Sequence, residues 1–301
     1  MGHRARTAVV ATVASLVVLM AACSDTSPGS QAGDSGASTT EAGATAIGSV
    51  PYVGYPDSIL VLGHSGATGE SSDPELQGVE VRENSWATGT NPAVESLYLR
   101  LLSVHPQIKG QNVNLARGGA TVTDLVGQAK GAIAAAPKNP LVVIQIMDND
   151  LVCPATKNDY ARFESTFVAA LKTLDAGLPS SRLFVVSQFG SPTNYDKALT
   201  PAQRVSAGGT GPCAFLDPSG QLVPQELARL DGIIHQYEAR LKAGCLKVSR
   251  CRYDEGAFGD IVDRPEYIAP DLNHFSIKGH AKAAAVAWAA MKKAELVPAP
   301  G

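Results

Sequence analysis

Over residues 52–298, short apolar runs alternate with longer stretches in which apolar side chains recur every three or four positions. Ile59-Leu60-Val61-Leu62 predicts a first strand that ends in glycine, and Val113-Asn114-Leu115 a second. Residues 141–146 (LVVIQI) are almost unbroken apolar, as expected of a central parallel strand covered on both faces. Residues 183–187 (LFVVS) predict a fourth strand, and 248–253 hold room for a short fifth. Between them, Asn91-Pro92 reads as an N-cap and first helical position, opening a helix to about Val104 with Val94, Leu97, Leu101 and Leu102 on one face. Further helices are expected over about 123–136, 159–174 and 225–243. A last helix, capped by Ser276, finishes with Lys292 and Lys293 near its negative end. This alternation predicts an α/β protein: three α/β/α layers around a parallel central sheet of about five strands. Ligands of such sheets bind at the carboxyl ends of the strands, where loops and helix N-termini converge.

The first fifty residues do not follow this pattern. Arg4 and Arg6 precede an uncharged apolar run, residues 8–20. As a helix it rises about 20 Å, short of the ~30 Å hydrocarbon core of a bilayer. A short apolar run behind a basic start predicts a signal peptide over residues 1–22. The run ends in Leu19-Met20-Ala21-Ala22-Cys23, which resembles a bacterial lipobox. The resemblance implies that Cys23 is lipidated with palmitate-type acyl chains and anchors an exported protein to the outer face of the bacterial cell membrane. The alternative is ordinary cleavage after Ala22, leaving a free thiol. Twenty of residues 24–50 are Ser, Gly, Ala or Thr, and none is Lys or Arg. Such a segment buries too little apolar surface to offset its ordering entropy, so residues 23–51 are expected to be a disordered tether and 52–298 the folded domain.

Composition narrows the picture. The chain has 301 residues, 45% hydrophobic and 18% charged, which excludes wholesale disorder and suits one large domain after the leader. The formal charge of −3 becomes −5 once Arg4 and Arg6 leave, because 23 basic residues then face 28 acidic ones. With no Lys/Arg run, nucleic acid is not an expected partner. Cys153, Cys213, Cys245 and Cys251 contain no CxxC pair and lack zinc-finger spacing, so no structural metal is expected. In an oxidising compartment an even number predicts two disulfides. Of three connectivities, Cys153–Cys213 with Cys245–Cys251 is favoured because the second pair closes a short local loop.

Four groups of residues fall where ligands bind. Gly63-His64-Ser65-Gly66 ends the first strand, and Gly118-Gly119-Ala120-Thr121 lies just past the second. Asp148-Asn149-Asp150 ends the third, and Asp271-Leu272-Asn273-His274 precedes the last helix. A serine, an amide, a glycine turn and an Asp/His pair are the parts acyl transfer requires. Serine is a poor nucleophile until a base takes its proton. Histidine does so near neutral pH, and a carboxylate fixes its tautomer. The oxyanion needs donors that backbone N–H groups and an Asn side chain supply. Taken singly, Ser65 is only a turn residue, Asn149 a loop cap, Asp271 a turn former and His274 a packed histidine.

The ordered set resembles the SGNH (GDSL-type) hydrolase superfamily over about residues 55–295, which implies a flavodoxin-like order for the central sheet. The resemblance implies Ser65 as nucleophile, Asp271 and His274 as its catalytic partners, and an oxyanion hole made by the Ser65 N–H, the Gly119 N–H and the Asn149 side chain. Gly118 is the alternative to Gly119 by one position. Two positions depart from the family pattern. His64 stands where Asp usually precedes the serine, and Met147-Asp148 precede Asn149 in a block that usually starts with glycine. His64 is expected to shape the mouth of the site rather than react. His280 is the competing base, set a turn inside the last helix, whereas His105 and His235 read as structural. Residues 66–90, with Glu70, Glu80, Arg82, Glu83 and Trp86, and residues 189–223 are expected to wall the substrate site, Cys213 pinning the second segment to Cys153. Arg117 reads as a solvated arginine or a contact for an anionic substrate group.

The expected activity is hydrolysis of carboxylic esters (lipid, short-chain or O-acyl glycan) through an acyl-enzyme, by a monomer that needs neither metal nor organic cofactor. The alternatives are a non-catalytic glycan- or lipid-binding lipoprotein on the same scaffold, and an O-acyltransferase using the same triad.

Overall fold

Five parallel strands run through the centre of the molecule in the order β2-β1-β3-β4-β5. They are β1 Ser58–Gly63, β2 Asn112–Asn114, β3 Pro140–Gln145, β4 Arg182–Val185 and β5 Cys251–Tyr253. The structure, a computed structural model, describes residues 50–135, 137–207 and 213–298. The expected signal peptide, Cys23 and all but the last two residues of the tether lie outside the described residues. Among the described residues no helix is long and apolar enough to cross a membrane.

Every residue of β1 and β3 is buried, because alternate side chains enter two separate cores. Leu60, Leu62, Val142 and Ile144 point into one core. There they meet α2 (Leu125–Ala134), α3 (Lys157–Gly177) and α6 (Pro224–Cys245) through residues such as Ala129, Phe167 and Leu241. Ile59, Val61, Leu141 and Val143 point into the other. That core is closed by α1 (Leu97–Val104) and α7 (Ile277–Lys293) through Leu101, Ala284 and Ala287. Three layers follow from this two-faced burial, and the strand order reverses at β1. Its carboxyl end and that of β3 therefore flank the crevice where ligands of such sheets bind.

Local chemistry sets the helix starts. Thr156 and Asp159 form a capping box at α3, and Ser276 Oγ accepts the Gly279 N–H at α7. The helix expected from Asn91 begins instead at Leu97. Asn91 Oδ1 accepts the Ala93 N–H and Asn91 O the Val94 N–H, so Asn91-Pro92 makes a turn. Glu95 at φ +48° then interrupts the chain, and Ser96 Oγ caps α1 through Leu99 N–H. Residues 189–223, expected as a loop, hold α4 (Tyr195–Ala198) and α5 (Pro201–Ser206), the latter with its own Thr200/Gln203 capping box. The disulfides are Cys153–Cys213 and Cys245–Cys251, the favoured pairing.

Candidate active site

The turn after β1 is dictated by Gly63. Its φ is +136°, and a Cβ there would lie 1.8 Å from Gln145 O. From α2, the Gln128 amide holds the same residue at both ends, accepting its N–H at 2.7 Å and donating to its carbonyl at 2.9 Å. The chain then folds into a 3₁₀ turn, Ser65–Ala67, capped by His64, whose Nδ1 accepts the Gly66 N–H at 3.0 Å. His64 N–H donates to Gln145 O, Ala67 N–H to His64 O and Thr68 N–H to Ser65 O. Of the five N–H groups from 64 to 68, the one on Ser65 alone has no partner among the described residues. Ser65 is half-buried, and its Oγ makes no hydrogen bond there either.

A similar situation holds in the glycine turn after β2. Arg117 N–H donates to Gly63 O, Gly118 N–H to Glu80 Oε1 at 2.8 Å, and Ala120 N–H to Arg117 O. Thr121 N–H goes to Asp124 and Val122 N–H to the Asp150 carboxylate. Gly119, exposed and at φ +70°, has an N–H with no partner among the described residues. The Gly118 N–H is already taken.

Asn149 sits in a 3₁₀ turn, Asp148–Asp150, after β3. Its side chain is oriented by Nδ2, which donates to Ala120 O at 3.0 Å and has a second hydrogen to give. Met147, in the place of the family's glycine, has φ +149°, a conformation that favours glycine, while its side chain is buried in the core. Burial pushes the Asp150 carboxyl up to about 6, against the Val122 N–H bonds.

Asp271 and His274 are joined directly. Asp271 Oδ2 lies 2.7 Å from His274 Nδ1, and Oδ1 accepts the backbone N–H groups of Asn273 and His274. Burial pushes the Asp271 carboxyl up, but bonds from Ser71 Oγ, from the His274 backbone and ring and from Asn273 outweigh it and hold the group at about 2. With a proton on Nδ1, His274 presents Nε2 as an acceptor. No hydrogen bond joins Ser65 Oγ to Nε2. The two are linked through the loop after the serine: Thr68 Oγ1 donates to Ser65 O and accepts the Glu70 N–H, and Glu70 Oε1 stands 3.8 Å from Nε2.

The expected roles of His64 and Trp86 change. His64 does not line the mouth: it is 2% exposed, with Nε2 3.4 Å from Asp148 Oδ2. Trp86 does not wall the site; it is fully buried, donates to Gln145 Oε1 and packs edge-on against Phe258. Arg117 pairs with Asp124 at 2.6 Å. His280 lies in α7, where burial pushes it down to about 3. His105 Nε2 meets Asp57 Oδ1 at 3.0 Å, and His235 stays exposed on α6. Ser71 and Gln128 were not read from the sequence. Their roles rest on contacts 200 and 65 residues apart, which no local periodicity signals.

Comparison with known proteins follows this geometry. The family model of the GDSL-like lipase/acylhydrolases matches residues 33–287. Among solved structures, esterase EstA from a Pseudoalteromonas species is 12% identical, with a TM-score of 0.44 over 79% of this chain and 97% of that one. A phospholipase A1 from Streptomyces albidoflavus is 13% identical, with a TM-score of 0.43 over 77% and 98%. A two-domain esterase active on acetylated mannans is 17% identical, with a TM-score of 0.43 over 82% and 53%. No curated protein matches the chain.

Proposed function

The chain belongs to the GDSL-like lipase/acylhydrolase family and is an ester-hydrolysing enzyme; from that premise we propose that Ser65 is its nucleophile, working through an acyl-enzyme. Asp271 keeps the His274 proton on Nδ1, so Nε2 is available to take the Ser65 proton as Oγ attacks the ester carbonyl. The oxyanion is held by the N–H groups of Ser65 and Gly119 and by the second Asn149 amide hydrogen. His274 then protonates the departing alcohol, and water activated by the same imidazole releases the acid.

One observation carries this assignment. Each of the two turns leaves a single N–H unengaged, and those are the Ser65 and Gly119 groups an oxyanion requires. The Ser65–His274 hydrogen bond this scheme requires is one the substrate complex has to form, since catalytic hydrogen bonds tighten there. No cofactor enters the scheme.

The same proposal includes the cell-surface setting. Arg4, Arg6, the apolar run and the lipobox-like Cys23 support export and anchoring by a lipid on Cys23, with the tether carrying the enzyme above the membrane. Substrates in that setting are lipid, short-chain or acyl-glycan esters. Hydrolysis of a chain-length series by the purified protein, beside Ser65→Ala, tests the catalytic part. The variant is expected to lose at least about 10³ in kcat; a variant as active as wild type overturns the assignment.

A further inference from the structure

Glu70 lies on the loop after the nucleophile turn, next to Ser71, whose side chain bonds Asp271. One carboxylate oxygen is 3.8 Å from His274 Nε2, and the other would lie 2.7 Å from a Cβ on Gly118. It therefore stands between the base and the glycine turn. Its neighbour across the bridge, Glu80, is satisfied by Gly118 N–H and by Arg82 at 2.7 Å. The Glu70 carboxylate has no hydrogen-bond donor among the described residues, and its side chain is only 20% exposed. The nearby cations do not compensate, since Arg82 is engaged by Glu80 and Arg117 by Asp124.

This position has a consequence for the substrate. In ester cleavage the leaving oxygen must come within hydrogen-bond reach, about 3 Å, of the nitrogen that protonates it. That nitrogen is Nε2, so the alcohol half of the ester passes within about 7 Å of the Glu70 carboxylate. A carboxylate without donors accepts hydroxyl groups and repels anions. Arg82, which holds Glu80, also lines a cleft of about 230 Å³ whose other walls are Glu83, Thr88, Thr90, Asn112 and Asn114.

We propose that Glu70 is a specificity-determining residue for the alcohol half of the substrate, selecting neutral, polyhydroxylated alcohols and rejecting anionic ones. The proposal rests on the Ser65–His274 reading above and narrows it.

Acetate esters of ethanol, glycerol and glycolate share one acyl group and differ in the alcohol. Each kcat/KM, divided by the ethyl acetate value of the same protein, cancels effects common to all esters. In wild type the glycerol ratio is expected to exceed the glycolate ratio by about tenfold or more. Glu70→Gln should shrink that spread to about twofold, chiefly by raising the glycolate ratio. A flat wild-type spread, or one that Glu70→Gln leaves intact, overturns the proposal. Wild type supplies a second test that needs no variant: about 0.5 M salt should narrow the glycolate deficit, and a salt-independent deficit overturns it. Turnover with a flat spread removes this inference alone. Equal inertness of wild type and Ser65→Ala on every ester removes the catalytic reading and the inference together.

Discussion

The buried His64 reaches the half-exposed Asp148, with His64 Nε2 3.4 Å from Asp148 Oδ2, and so brings the nucleophile turn against the Asn149 turn. His64 is one departure from the family pattern and Asp148 directly follows the other, Met147, so the two departures are brought side by side. His64 Nδ1 is occupied by the Gly66 N–H, so the neutral ring carries its proton on Nε2, facing the carboxylate.

The first prediction follows from that pairing. An Asp at position 64 can still accept the Gly66 N–H as an Asx turn, but it sets a carboxylate against Asp148. His64→Asp is expected to lower stability, and adding Asp148→Asn to restore part of it, with a coupling of about 1 kcal/mol or more. Urea denaturation of the four proteins measures this. Strict additivity would show that the pair is not coupled.

Much of the frame was legible in the sequence, and the reason lies in particular residues. The run at 141–146 has the unbroken apolar pattern expected of a strand buried on both faces, and β1 and β3 together fix the crevice. Ser65, Asn149, Asp271 and His274 stood out because each abuts a strand end or the last helix. The role of His64 was not legible: proximity to the serine suggested the mouth, and only the fold brings Asp148 to it. Trp86 misled for a similar reason, since its neighbours Arg82 and Glu83 are exposed while its own ring turns inward to Gln145. The start of α1 was lost because Asn-Pro serves turns as readily as caps.

A second prediction concerns the oxyanion. Asn149 is exposed and anchored by one bond to Ala120 O, so Asn149→Ala should barely change the melting temperature. If its free hydrogen serves the oxyanion, kcat falls by about 10²–10³ with little change in KM. Steady-state kinetics beside a thermal melt separates the two effects, and an unchanged kcat would exclude Asn149 from the hole.

The carboxylates predict two opposite pH dependences of stability. Asp271, held at about 2, contributes stability that is complete above its unfolded pKa of about 4 and is lost as pH falls through 2. Asp150, pushed up to about 6, contributes stability that is complete below about 4 and is lost as pH rises through 6. Asp271→Asn should therefore flatten the melting profile on the acid side, and Asp150→Asn between pH 4 and 6. Melting curves of the two variants across pH 2–8 provide the check.

The disulfides should differ in weight. Cys153–Cys213 spans 60 residues and Cys245–Cys251 only 6. Loop-closure entropy gives about 4 kcal/mol for the first and about 2 for the second. Replacing the first pair with alanine is expected to lower stability more in chemical denaturation, and the reverse order would show that loop-closure entropy does not set the ranking.

The central claim is that Ser65 is the hydroxyl activated by His274. Labelling the purified protein with a fluorophosphonate and mapping the adduct by peptide mass spectrometry tests it most directly. The account predicts a single adduct on Ser65, abolished in Ser65→Ala and strongly slowed in His274→Ala. An adduct on another residue, or labelling that survives in Ser65→Ala, would contradict it.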